Sequence, residues 1–300
     1  MLNHPFSRRA FLLLTLLAAF PGCGRAQHRA PLPPDVRALR DVPYVTAGHE
    51  RQKLDLFLPE HVAGAPLAVW IHGGGWQSGS KEGCPAMGLL DEGYVVASLN
   101  YRYSQQALFP AQIEDCKAAI RWLRGHASTY GYDGEHIGAW GASAGGHLVA
   151  LLGTTGTMRD FDVGENLDVS SRVQAVIDWF GPTDFPRFNN PANSRAEGAL
   201  SLLTRLFGGP LPTKLDLARR ASPATWTSAD SAPTLIMHGT RDTLVPLDQS
   251  EWFAERLKAA GAEVTLDVLN GAGHGGKEFF APEKLNRMKG FFDRHLKPAP

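Results

Sequence analysis

Short apolar runs alternate with segments of helical period along most of this chain, and that alternation limits the folds open to it. Leu54–Leu58 (LDLFL) alternates as a half-buried strand does. Leu67–Ile71 (LAVWI) and Val95–Leu99 (VVASL) are continuous apolar runs, as strands buried on both faces are. Ile137–Trp140, Val173–Phe180, Thr234–Met237 and Val264–Leu269 repeat the pattern. Between them, Ile113, Cys116, Ile120 and Leu123 recur at helical spacing. Further helices are expected over Ala144–Leu152, over Gln249–Ala260 (stopped by Gly261) and over Pro282–Leu296. Such βαβα order predicts one α/β domain over 42–297, a mostly parallel sheet with helices on both faces. Ligands then sit outside the carboxyl ends of the strands. Residues 182–227 break the rhythm and are too long for a plain connection, with a helix expected near Ala199–Phe207. They read as an excursion over that edge, either a small lid or an insertion without function, and as too polar for the apolar lid face of a lipase.

Charge excludes whole classes of partner. Lys+Arg and Asp+Glu are 30 each, so no cationic excess exists for nucleic acid or for an anionic membrane surface. Residues 1–26 read as an export signal. Arg8 and Arg9 precede an apolar run, Phe11–Phe20, too short to cross a bilayer, and small residues follow. Ser7-Arg8-Arg9-Ala10-Phe11-Leu12 resembles a twin-arginine signal. Cleavage after Ala26 competes with lipidation at Cys23 in Pro21-Gly22-Cys23, so a lipid anchor stays open. Either route places the mature protein in the periplasm or outside the cell. Residues 27–41, rich in Pro and Arg, read as a linker. Export also permits a disulfide between Cys84 and Cys116, both expected on helical segments; that pairing is favoured over two buried thiols.

The chemistry lies at the expected strand ends. Gly141-Ala142-Ser143-Ala144-Gly145 matches G-x-S-x-G, and it sits between a strand and a small-residue helix. That is the context of a nucleophile elbow. His72-Gly73-Gly74-Gly75-Trp76 follows LAVWI, where glycines let backbone N–H groups approach a ligand. Gly73 and Gly74, with Ala144 after the serine, are the expected oxyanion donors, and His72 is expected to buttress the loop. Asp242 follows TLIMHG and His274 follows VTLDVL, so both reach the edge where Ser143 sits. The order Ser…Asp…His assigns Ser143 as nucleophile, His274 as general base and Asp242 as its orienting acid. Asp184 and Asp248 are rival acids; Asp184 is better explained as capping the turn after its strand. Trp76, Tyr101 and Phe185 are open between pocket and core. No H-E-x-x-H or C-x-x-C occurs, His4 and His28 fall before the folded domain, and no metal or cofactor is expected.

These motifs together resemble the α/β-hydrolases over about residues 42–297. The nearest groups are the hormone-sensitive-lipase-like and the feruloyl- or acetylxylan-esterase-like (BD-FAE) carboxylesterases. HGGGW at 72–76, GSK at 79–81, NYRYS at 100–104, FPAQIEDCKAAIRWLR at 109–124, GASAGGH at 141–147, GPTD at 181–184, HGTRDTLVP at 238–246 and GAGHG at 271–275 carry the likeness. The resemblance implies cofactor-independent hydrolysis of small or polysaccharide-attached esters, acetyl or feruloyl, through an acyl-enzyme. Ala142 departs from it, since many relatives place an acidic residue before the serine. A serine amidase or peptidase of the same fold, or a non-catalytic binding relative, is the alternative. Against a peptidase stands the lack of room for an N-terminal propeller.

Overall fold

The structure is a computed structural model, and it describes residues 32–60, 63–189 and 197–298. The export signal, His4, His28, Cys23 and residues 27–31 of the expected linker lie outside the described residues.

Eight strands form one sheet: β1 (Val36–Pro43), β2 (Lys53–Pro59), β3 (Leu67–Ile71), β4 (Val95–Leu99), β5 (Ile137–Ala142), β6 (Ala175–Trp179), β7 (Thr234–Gly239) and β8 (Val264–Leu269). Their order is β1-β2-β4-β3-β5-β6-β7-β8. β1 pairs antiparallel with β2, and β2 with β4; β4 through β8 are parallel. The chain runs from β3 outward to β4 and then returns to β5 on the other side of β3. The edge between β3 and β5 is therefore the topological switch point, where open α/β sheets bind ligands.

Helices cover both faces. α1 (Ala111–Gly125) and α3 (Ala144–Thr155) pack with Leu67, Val69, Ile71 and Ile137 on one face. The alternate residues, Ala68, Trp70, Trp140 and Ile177, face a 3-10 turn at Pro85–Glu92 and the terminal helix. α2 (Ala127–Tyr130) is one turn after α1, and α4 (Glu197–Phe207) and α5 (Leu215–Ala221) lie in the excursion. α6 (Asp248–Ala259) packs Phe253 and Leu257 against Ile236, and α7 (Pro282–Leu296) is the terminal helix. Trp70, Trp140 and Trp179 meet edge to face, with centroids 5.3, 6.5 and 4.9 Å apart.

Two expectations are corrected here. The linker ends before Val36, because Val36–Asp41 belongs to β1: Val36–Leu39 pair with Leu56–Pro59, and after a bulge Val42 pairs with Leu54. Its arginines suit an edge strand, where charge discourages further pairing. Cys84 and Cys116 are free thiols. Cys84 precedes the 3-10 turn and packs with one face of the sheet, while Cys116 of α1 is buried on the other, so the sheet separates them. The excursion turns its apolar residues inward. Leu203, Leu206 and Phe207 of α4 are buried and Leu202 half-buried, turned onto the core beside the sheet's carboxyl edge.

Candidate active site

Ser143 sits between β5 and α3 with φ 55° and ψ −118°, outside the regions ordinary residues occupy. The turn is forced by close packing. A Cβ on Gly145 would stand 2.0 Å from Ile71 O, and one on Gly141 would stand 2.3 Å from Gly145 O. Only glycine lets helix, strand and turn approach this closely. Ser143 N donates to Trp179 O at 2.8 Å, and Ser143 O accepts from His147 N at 2.9 Å, which pins the turn at both ends.

The loops after β5, β7 and β8 bring the three expected side chains together. His274 Nε2 lies 2.8 Å from Ser143 Oγ, and His274 Nδ1 lies 2.7 Å from Asp242 Oδ2. A carboxylate only accepts, so Nδ1 carries the proton and Nε2 is free to take one from the serine. Asp242 Oδ1 accepts from Leu244 N and Val245 N, each at 2.9 Å. Burial by itself pushes the Asp242 carboxyl up, but bonds from His238 and His274 outweigh it and hold the group well below the usual carboxylate range. Phe180 packs on the His274 ring, centroids 4.6 Å apart. Asp184 stands elsewhere, accepting from Trp252 Nε1 at 2.9 Å and from Arg187 N at 3.4 Å, a turn cap as expected. Asp248 opens α6.

The HGGGW loop follows β3 beside the elbow. No acceptor among the described residues takes the N–H of Gly73, Gly74 or Ala144. Gly73 lies against the serine: a Cβ built on it would be 3.4 Å from Ser143 Cβ. A cavity of about 20 Å³ opens at Ser143 between Gly75, Trp76, Phe188, Leu202, Leu203 and Val245. Trp76 thus serves both pocket and core, whereas Tyr101 and Phe185 are wholly core. Among the described residues no group of three His, Cys, Asp or Glu side chains is placed to hold a metal.

Three contributors were not visible in the sequence reading. His238 donates through Nε2 to Val245 O at 2.9 Å and lies 3.3 Å from Asp242 Oδ2, so it braces the acid. Its signal was a histidine inside the apolar run TLIMHG. Arg51 lies 3.2 Å from His72 Nε2 behind the glycine loop. Leu202 closes the cavity over Gly75.

The profile of the BD-FAE family matches residues 54–257, more than half of the chain. The chain belongs to the BD-FAE family. The match takes in Ser143 and Asp242 and ends before His274. Among curated proteins, this BD-FAE chain is 36% identical over 198 residues to the probable carboxylic ester hydrolase LipM of Mycobacterium tuberculosis, covering 65% of this chain and 45% of that one. It is 33% identical to esterase LipC of the same organism, over 70% of this chain and 53% of the relative. The chain thus spans about half the length of these relatives. Among solved structures, a truncated carbohydrate esterase from gut microbiota superposes with a TM-score of 0.78 at 30% identity, covering 87% of this chain and 97% of its own. Est2, an esterase of Thermogutta terrifontis, gives 0.69 at 26% identity, over 88% and 95%. The eight-stranded sheet is accordingly an α/β-hydrolase fold.

Proposed function

We propose that the protein is a serine carboxylesterase acting on small or carbohydrate-attached esters, acetyl above feruloyl. The hydrogen-bonded chain Ser143–His274–Asp242 is the observation that carries this reading, and the esterases among its relatives support it. In this mechanism His274 Nε2 takes the Ser143 proton as Oγ attacks the ester carbonyl. The carbonyl oxygen becomes an oxyanion before the N–H groups of Gly73, Gly74 and Ala144, which have no competing acceptor among the described residues. His274 then returns the proton to the departing alcohol. A water, deprotonated by the same imidazole, releases the acid and restores the serine. Asp242 stays ionised throughout and stabilises the imidazolium.

The cavity beside Ser143 is small and walled by Trp76, Phe188, Leu202, Leu203 and Val245, which supports a short acyl group such as acetyl. Initial rates on p-nitrophenyl acetate, butyrate and octanoate, methyl ferulate and acetylated xylan test the reading. Acetyl esters are expected to lead, and Ser143→Ala to abolish turnover; serine-independent cleavage would sink the assignment. Leu202→Ala is expected to raise kcat/KM for butyrate relative to acetate by about tenfold, since a removed methylene is worth about 1–3 kcal/mol of discrimination. An unchanged ratio removes Leu202 from the acyl wall. Failure on every ester, with cleavage of amides, would favour the amidase or peptidase alternative; failure to react with a fluorophosphonate would favour a binding relative.

Export is proposed from the amino-terminal residues alone, with cleavage after Ala26 or lipidation at Cys23. The mass of the mature amino terminus, recovered from periplasm or membrane, separates the two.

A further inference from the structure

We infer that Arg51 is a positioning residue for the oxyanion loop: its guanidinium polarises the peptide carrying the N–H of Gly74 through His72, and it anchors the backbone of Tyr101, whose hydroxyl holds the peptide carrying the N–H of Gly73. This rests on the esterase reading above, which is what assigns those two N–H groups to the oxyanion.

The N–H of Gly73 belongs to the peptide whose oxygen is His72 O. The N–H of Gly74 belongs to the peptide whose oxygen is Gly73 O. Each oxygen is held by one buried side chain. The Tyr101 hydroxyl donates to His72 O at 3.0 Å, and His72 Nδ1 meets Gly73 O at 2.6 Å. A carbonyl only accepts, so Nδ1 carries the proton. Arg51 Nη2 lies 3.2 Å from His72 Nε2, and a guanidinium only donates, so Nε2 supplies a lone pair. Partners on both sides thus select one neutral tautomer. Burial, with the Arg51 charge adding to it, lowers the His72 pKa to about 4 against the opposing bond to Gly73 O.

The guanidinium is fixed on several sides. Its Nε donates to Tyr101 O at 2.8 Å and its Nη2 to Asn100 Oδ1 at 3.1 Å, while the Tyr103 ring lies under it at 3.5 Å. The rings of His72 and Tyr101 stack at 4.5 Å in front of it. One cation therefore polarises the Gly74 peptide through His72 and fixes the backbone of the tyrosine that serves the Gly73 peptide.

A hydrogen bond received at a peptide oxygen makes the N–H of that peptide a stronger donor, and chained bonds reinforce one another by about 10–30% each. A stronger donor gains more from an oxyanion than from a neutral carbonyl. That difference lowers a barrier without tightening substrate binding. Loop packing alone needs neither a charge nor a fixed tautomer.

The test compares Arg51→Gln, His72→Asn and the double variant with the parent and with Ser143→Ala on p-nitrophenyl acetate. Asparagine at 72 keeps an amide N–H for Gly73 O, but its shorter side chain places no acceptor where His72 Nε2 meets Arg51. Each single variant is expected to lower kcat about tenfold, less than the loss of a whole donor, with KM moved less than about twofold. The affinity of a trifluoromethyl ketone, which forms an anionic tetrahedral adduct, should fall by the same factor as kcat. Binding of a neutral planar acetamide analogue should hold. The double variant should be no worse than the weaker single, because both changes cut one chain. Parent-like kcat in Arg51→Gln, losses that multiply in the double variant, or equal losses for ketone and amide overturn the inference. Should Arg51→Gln fail to fold, His72→Asn carries the same measurements with the other Arg51 bonds intact. Turnover surviving in Ser143→Ala overturns the esterase reading instead. A dead Ser143→Ala beside an unaffected Arg51→Gln overturns only the relay.

Discussion

Asp242 is charged without solvent because the chain around it was built to accept that charge. Its side chain is wholly buried, yet two backbone N–H groups and two histidines reach its oxygens. In the proposed mechanism Asp242→Asn leaves this shape intact but lets His274 take the wrong tautomer. A fall in kcat of about 10⁴ is expected, with little change in melting temperature. Asp184→Asn is expected to stay within a few-fold of the parent, since Asp184 is occupied by Trp252 and Arg187. Steady-state rates of the two variants decide between the acids, and a collapse in Asp184→Asn alone would reverse the assignment. Ser143, Asp242 and His274 were legible because polar residues among glycines at strand ends have no packing explanation. Arg51 and His238 were not. Arg51 acts through His72, a partner on another loop, and nothing local marks an arginine there. His238 is four residues from Asp242, but its only mark, a histidine inside an apolar strand, does not say which group the ring meets.

At the scale of elements, the elbow stores strain. A backbone at φ 55° and ψ −118° costs a non-glycine residue about 1–3 kcal/mol. Ser143→Gly is therefore expected to be inactive and more stable, by about 1 kcal/mol after glycine's extra chain entropy. Thermal unfolding should show its midpoint a few degrees above that of Ser143→Ala; an equal or lower midpoint means the turn is unstrained. Strand and helix periods placed β3, β4, β5, β8 and α7 within a residue or two, because those elements face the core and carry its period. β1 escaped notice since an edge strand, paired on one side and rich in arginine, lacks the apolar signal. α4 was located, but its role was not, because the sense in which Leu202, Leu203, Leu206 and Phe207 face depends on where the excursion folds back.

For the molecule as a whole, buried groups set the response to acid. Burial, the dominant cause, lowers His72 and His147 from 6.5 to about 4. Between those values the unfolded chain binds two protons that the native protein refuses, so stability is lost as pH falls from about 6.5 toward 4. Asp178 opposes them. Burial raises it from 3.8 to about 6, so the native protein takes up a proton there first. The three groups leave a net loss of about 1.4 kcal/mol per pH unit between pH 6 and 4. Asp178→Asn removes the opposing group and is expected to roughly double that slope. Denaturant titrations at half-unit steps of pH measure both slopes, and a slope unchanged in Asp178→Asn contradicts the assignment.

Read alone, the residue pattern specified the parallel α/β sheet, the elbow, the glycine loop and the order of the three side chains that meet at the sheet's edge. Periodicity and glycine placement are local, and they survive in one dimension. The long-range pairings needed the folded chain. Which loops converge on Ser143, that the sheet parts Cys84 from Cys116, that Leu202 closes the cavity beside Ser143 and that Arg51 bonds His72 behind the glycine loop all follow from strand order and close packing. Those bring together residues far apart in the chain, 131 positions in the contact of His274 with Ser143, and no local propensity encodes such distances.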